Sequence, residues 1–112
     1  MESDIAVTQF AALAHPLRYA AFRLLVETGS EGLTAGDIAR RLDTPPSTLS
    51  AHLAQLERCA LASSRRDGVR IFYAISPAGV SALIDHLVRD CCNGRPELCG
   101  GAPGLVASRD RP

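Results

Sequence analysis

The sequence contains no lysine; all twelve basic side chains are arginine, and twelve Asp plus Glu balance them to a formal net charge of zero. That balance excludes a polybasic tail or a supercharged surface, although a local basic patch can hide inside a neutral total. No apolar run approaches the ~18 residues of a membrane span. The opening MESDIAVTQF lacks the basic start and long apolar stretch of a signal peptide, so a cytoplasmic protein with no membrane partner is expected. In that compartment four cysteines read as thiols, metal ligands or redox groups rather than as a disulfide framework. What is present is a chain of 112 residues, 46% hydrophobic and 21% charged, the length of one domain. A chain of this size buries roughly two-thirds of the surface its unfolded form exposes, enough for one core.

Charge is unevenly placed. Residues 1–32 carry a formal −2, residues 33–75 hold six Arg against four acids, and residues 76–112 balance at four each. Helical signals dominate the first half. Ser3 can cap a helix that puts Phe10, Leu13 and Ala14 on one side. Pro16 suits a first turn, and Leu17, Ala21, Leu24 and Leu25 repeat at helical spacing towards Gly29. Thr34 with Asp37 resembles a capping box opening a short helix with Ile38 and Leu42 inside. Thr44 offers another cap, Pro45 fits the following first turn, and Leu49, Leu53 and Leu56 form one stripe. Strands are then expected at 62–66 and 69–75, flanking Asp67-Gly68, a strong two-residue hairpin signal. Ser76-Pro77 starts a last helix with Val80, Leu83, Ile84, Leu87 and Val88 on one face. From Asn93 onward the chain is rich in Gly and Pro, and disorder is expected past about residue 100.

A short helix, a tight turn, a longer helix and a basic hairpin make the layout of a winged helix-turn-helix, mainly α with a β-hairpin wing. The expected division is a DNA-binding and dimerisation domain over 1–92 and a tail over 93–112. On the 44–60 helix the leucine stripe leaves Ser47, Ala51, Ala54 and Arg58 opposite, with Ser50 and Gln55 at the edges. Small residues let such a helix sink into a major groove, while hydroxyls and an amide can bond phosphates or base edges. The alternative is the polar, solvent-facing side of an ordinary helix. Arg65, Arg66 and Arg70 straddle the hairpin turn, either as wing residues that touch phosphates or as a solvated hairpin. Two apolar faces, Phe10 with Leu13 and the stripe Val80, Leu83, Ile84 and Leu87, lie on terminal helices. A winged core of this size covers only one of them, so a homodimer is expected.

HPLRYAAFRLLVETG followed by LTAGDIARRLDTPPSTLSAHLAQLERCALASSRRDGVRIFYAIS resembles the ArsR/SmtB family of metal-sensing repressors. Thr48, Leu49, Ser50, His52, Leu53 and Leu56, then Ala60-Leu61, match that family's DNA-recognition helix, and the likeness covers about residues 9–90. The resemblance implies a homodimer joined by its first and last helices. It also implies an inverted-repeat operator in double-stranded DNA, and release when an inducer binds. Ser47, Thr48, Ser50 and His52 would face DNA. His52 projects nearer the leucine side than Ser47 does, which leaves helix packing or a hydrogen bond as an equal alternative for it.

The family's Cys-x-Cys arsenic site would fall in TAGDIARRL, which has neither Cys nor His. Its zinc site on the closing helix needs Asp-x-His and a later His-x-x-Glu, whereas Asp85 and His86 are adjacent and no His follows. The remaining candidates are Cys91, Cys92 and Cys99 in RDCCNGRPELCGG. Cys91 and Cys92 extend the closing stripe by four residues from Leu87 and Val88, and Pro96 helps turn Cys99 back towards them. Three thiolates without a histidine suit a soft, three-coordinate thiophile, and zinc would need a fourth ligand. Arsenite, As(III), or antimonite, Sb(III), fits the count as the inducer, and no organic cofactor is expected. Some arsenic-responsive repressors of the family carry a similar C-terminal Cys-Cys…Cys cluster. Cd²⁺, Pb²⁺, Hg²⁺, methylated As(III), thiol oxidation and plain core packing are the alternatives for these thiols. Cys59, beside Ala60-Leu61, reads as a buried structural thiol. A thiol enzyme would need a low-pKa nucleophile beside an anion-binding loop, and no Cys-x-x-Cys is present, so no enzyme is expected.

Overall fold

The computed structural model describes residues 3–91, with side chains over 4–89. Cys92, Cys99 and the 93–112 tail, including its expected disorder, lie outside the described residues. Helix α1 (Ser3–Leu13) opens at Ser3 itself, and α2 (Pro16–Thr28) follows a sharp corner. A 3-10 turn (Gly29–Glu31) leads to a two-residue strand β1 (Leu33–Thr34), then α3 (Ala35–Arg41) and α4 (Pro46–Arg58). Strands β2 (Ala62–Asp67) and β3 (Arg70–Ile75) form the hairpin, and α5 (Pro77–Asp85) runs into a π-helical turn (His86–Cys91).

Each start has a local cause. The His15 imidazole caps α2 by accepting from Leu17 N–H, and Pro16 occupies the first turn, where its missing donor costs nothing. Thr34 Oγ1 accepts from Asp37 N–H to open α3, and Ser76 Oγ accepts from Gly79 N–H to open α5. The α4 start differs from expectation. Pro45 is the flanking residue and Pro46 the first helical one, while Thr44 turns its hydroxyl back to Leu42 O. The hairpin is also one residue out of the expected register. Asp67 pairs with Arg70, so the loop is Gly68-Val69, with positive φ at Gly68 alone, as a type II′ turn requires.

One core serves the described residues. Leu25 and Ala21 from α2, Ile38 from α3, Leu49, Leu53 and Leu56 from α4, and Leu61 are all fully buried, with Ala6 and Ala12 from α1 against them. The sheet runs β1-β3-β2, all antiparallel, with Leu33 opposite Tyr73 and Thr34 opposite Phe72. Leu83, expected at a dimer interface, is instead 7% exposed in this core, and Val80 and Leu13 pack partly against it. The stripe drawn as one outward face therefore splits. Leu83 and Val80 turn to the body of their own chain, and Ile84 and Leu87 stay half-buried at its margin.

The α register of the closing helix also ends at Asp85. In the π turn each hydrogen bond spans one more residue, so the four-residue offset from Leu87 to Cys91 is not an α-helical one.

The closing helix docks through a backbone crossing. Ala60, which ends the turn after α4 at φ 65°, brings its carbonyl against Gly79, and Ser76 N–H donates to Leu61 O. A Cβ on Gly79 would stand 1.6 Å from Ala60 O, so backbone would have to move. Gly79→Ala is expected to destabilise the chain by about 3 kcal/mol, the upper range for overpacking. Urea denaturation followed by far-UV circular dichroism checks this through a lowered midpoint at unchanged slope.

Candidate nucleic-acid interface

The rotation of α4 is fixed by three leucines. With Leu49, Leu53 and Leu56 fully buried, Ser47, Thr48, Ser50 and Ala51 are left exposed on the other side. The exposed side holds hydroxyls and a methyl, short enough for a close approach by a groove floor. Gln55 is half-buried, and its Oε1 accepts from Arg58 Nη2 at 2.6 Å, so its amide oxygen is already engaged. Beside this face runs a cleft lined by Thr34, Gly36 and Ser50 on one wall and Val69, Arg70 and Tyr73 on the other, which sets the helix and the wing edge to edge.

The wing divides its arginines. Pairing of Arg65 with Phe72 and of Asp67 with Arg70 puts Arg65, Arg70 and the Phe72 ring on one sheet face; Arg66 and its partner Ile71 lie on the other. The Arg65 guanidinium lies 4.9 Å and that of Arg70 5.4 Å from the Phe72 ring centre. Arg65 Nη2 also donates to Glu31 O at 3.0 Å. Two cations are thus held at one aromatic ring, which orients them while leaving donors free for an anion. The Gly68-Val69 loop leaves Val69 98% exposed at the wing tip.

His52 does not share the outer face. Its ring lies 4.5 Å from that of His15, centre to centre, and Arg18 Nη1 donates to its Nδ1 at 3.3 Å. Burial, with the neighbouring His15 and Arg18 charges, holds its pKa below the usual histidine value. Of the two roles open to it, the geometry gives His52 the packing and hydrogen-bonding one. His15 and Arg18 escaped the sequence reading, since their partner stands more than thirty residues away; their only signal was the His-Pro-x-Arg stretch already noted.

The Cys59 thiol has the opposite of a nucleophile's surroundings. Cys59 Sγ is buried and donates to Leu56 O, and burial raises its pKa. Cys59 and Arg65 stand at a Cys-x₅-Arg spacing that the sequence reading overlooked. The structure assigns the interval to the end of α4 and to strand β2, with Arg65 turned to Glu31 and Phe72, so no anion-binding loop forms between them. Among the described residues no three His, Cys, Asp or Glu side chains gather as a metal site, and no helix is long and apolar enough to cross a membrane.

The cap that starts α3 is also a titrating contact. The Thr34 hydroxyl, then the Arg40 charge, hold the Asp37 carboxyl below its ordinary value, and Arg40 pairs with it. Stability from this contact is fully present above the unfolded carboxylate range and is lost as pH falls through the lowered native value. Thr34→Ala is expected to cost about 1 kcal/mol at pH 7. It should also narrow the gap to the parent chain below pH 4, which thermal melts at pH 7 and pH 3 would show.

The family model described as a helix-turn-helix domain matches residues 13–62, which span the corner of α1 and α2 through α4. The chain is 33% identical over 87 residues, 78% of its own length and 78% of the relative's, to the transcriptional activator HlyU of Vibrio cholerae. The structure superposes on an ArsR-like transcriptional regulator from Rhodococcus sp. RHA1 with TM-score 0.71 at 25% identity, covering 87% of this chain and 89% of that one. It also matches a homodimeric winged helix-turn-helix DNA-binding domain from Mycobacterium bovis, with TM-score 0.61, 28% identity and 80% of each chain covered. With its leucine-seated helix, its three-stranded wing and these relatives, the chain belongs to the ArsR family of winged helix-turn-helix transcription regulators.

Proposed function

We propose that this transcription regulator is a homodimeric repressor that binds an inverted-repeat operator and is released by trivalent arsenic held on Cys91, Cys92 and Cys99. The observation that carries operator binding is the exposed Ser47, Thr48 and Ser50 face, where Ser50 shares a cleft with Val69, Arg70, Ile71 and Tyr73 of the wing. Among the described residues no side chain caps α4, Pro46 has no N–H and Thr48 N–H donates to Pro45 O, which leaves the Ser47 N–H of the first turn to meet a phosphate. Serine and threonine would then read base edges and phosphates, while the two wing arginines neutralise backbone charge.

Dimerisation is supported by α1, where Ile5, Val7 and Phe10 are all more than two-fifths exposed, and by the half-buried Ile84 and Leu87 on α5. A two-fold pair with recognition helices about 34–36 Å apart would meet successive major grooves of a palindrome.

The effector reading rests on donor chemistry. Three thiolates favour a soft thiophile, and As(III) or Sb(III) is satisfied by three sulfurs, where zinc is not. The described body of the chain offers no competing cluster. Cys91 closes the last helical turn, so a ligand joining it to the tail would act at the end of a helix proposed to form the dimer contact.

Fluorescence anisotropy of the reduced protein on a duplex from its own upstream region tests this. Arsenite at stoichiometric level is expected to release the duplex while Zn²⁺ leaves it bound. Cys99→Ser should keep operator binding and lose arsenite release. A Cys99→Ser variant that still dissociates would remove the three-thiol site. Arg65→Ala and Arg70→Ala should each lower the slope of log affinity against log salt by about 1, with sequence preference kept. The relative HlyU is an activator; a reporter that rises on arsenite addition and on deletion of the gene would give repression as the sign here.

A further inference from the structure

Both imidazoles at the corner between α1 and α2 use the same atom as an acceptor. His15 Nδ1 receives the backbone N–H of Leu17 at 3.2 Å, and His52 Nδ1 receives Arg18 Nη1 at 3.3 Å. A backbone amide and a guanidinium can only donate, so neither Nδ1 carries a proton and each neutral ring keeps its hydrogen on Nε2. Arg18 also donates from Nε to Ala12 O at 2.8 Å, at the carbonyl end of α1. One guanidinium thus joins α1 to the middle of α4, and the two rings lie against each other at 38°.

We propose that Arg18 and His52 are positioning residues for operator binding: a neutral-imidazole link that seats the recognition helix against α1 and lets go when His52 is protonated at Nδ1. This rests on the DNA-binding reading above. The charged and titratable groups that face His52 are His15 and Arg18, both cationic when protonated. The acid of its own helix, Glu57, is engaged by Ser64 Oγ, and Asp37 of α3 is engaged by Thr34 and Arg40. Among the described residues no carboxylate is placed to stabilise an imidazolium here. A proton on His52 Nδ1 would set a donor against a donor and a cation against Arg18.

The sign follows. Because the native ring is held neutral, the link is fully present above the ordinary histidine range and fails as pH falls through the lowered native value. The direction is also diagnostic. Added positive charge by itself strengthens attraction to phosphate, so affinity lost on acidification must come from a broken seat rather than from bulk charge.

The test is operator affinity of the full chain at pH 7.5 and 5.5, each variant normalised to its own pH 7.5 value. The parent is expected to lose about fivefold on acidification, because the bound chain holds the His52 ring neutral. His52→Asn keeps an acceptor at the Nδ1 position without titrating, so it should lose no more than about twofold over the same range. His15→Asn should leave most of the acid loss in place. Equal acid loss in the parent and His52→Asn, or an acid loss abolished by His15→Asn alone, would overturn the proposal.

Long-range ¹H–¹⁵N spectra of the free parent chain give a readout that needs neither DNA nor a variant. His52 should be the Nε2–H tautomer at pH 7.5 and titrate below the ordinary value; an Nδ1–H tautomer or an ordinary titration would overturn the link. If the chain fails to bind its duplex at pH 7.5, the DNA-binding reading falls, and the imidazole spectrum still decides the Arg18–His52 link.

Discussion

The burial of Leu49, Leu53 and Leu56 sets the rotational phase of α4, and almost everything at the surface follows from that phase. A 13-residue helix turned by one residue would rotate by about 100° and exchange its hydroxyl face for a leucine. With the leucines pinned against Leu25, Ile38 and Leu61, the serines and the threonine have nowhere to go but outward. Each fully buried side chain of this kind contributes about 1.5–3 kcal/mol. The polar link through His52 is thus a fine adjustment on a seating already made by apolar contact.

The wing depends on that seating through one residue. Thr34 is at once the last residue of β1, opposite Phe72 in the sheet, and the cap of α3. The start of the helix-turn-helix and the centre strand of the wing are therefore bonded to the same short segment, and α3, α4 and the hairpin hold their places relative to one another. Phe72 then lies between Thr34 on one side and Arg65 on the other, and the arginines take their orientation from its ring.

The parts legible in the sequence were those written in local periodicity. The recognition helix, its outward serines, the Thr34 cap and the hairpin all show as patterns within a dozen residues. The misplaced details are competitions between neighbours. Gly68 supplies the positive φ, so the turn centres on Gly68-Val69 rather than on Asp67-Gly68, and Pro46 rather than Pro45 takes the first helical position. Strand β1 is two residues long and has no period to read. Leu83 looked like an interface residue because a stripe cannot say which body it packs on. His15, Arg18 and His52 meet only because α2 and α4 cross, and Gly79 meets Ala60 only because α5 docks at the end of that same helix. Neither juxtaposition is visible before the chain is folded.

The Gly79–Ala60 crossing gives the closing helix the mechanics of a lever. Its fulcrum is two residues from the start of α5, while the arm to Cys91 runs on the order of 15–18 Å at ordinary helical rise. Without a Cβ between them, backbone bears directly on backbone, with no soft side chain to absorb displacement. A wide swing at the far end therefore reaches the foot of the recognition helix as a small, stiff one, and an operator that demands fixed spacing between two such helices is sensitive to shifts of that size.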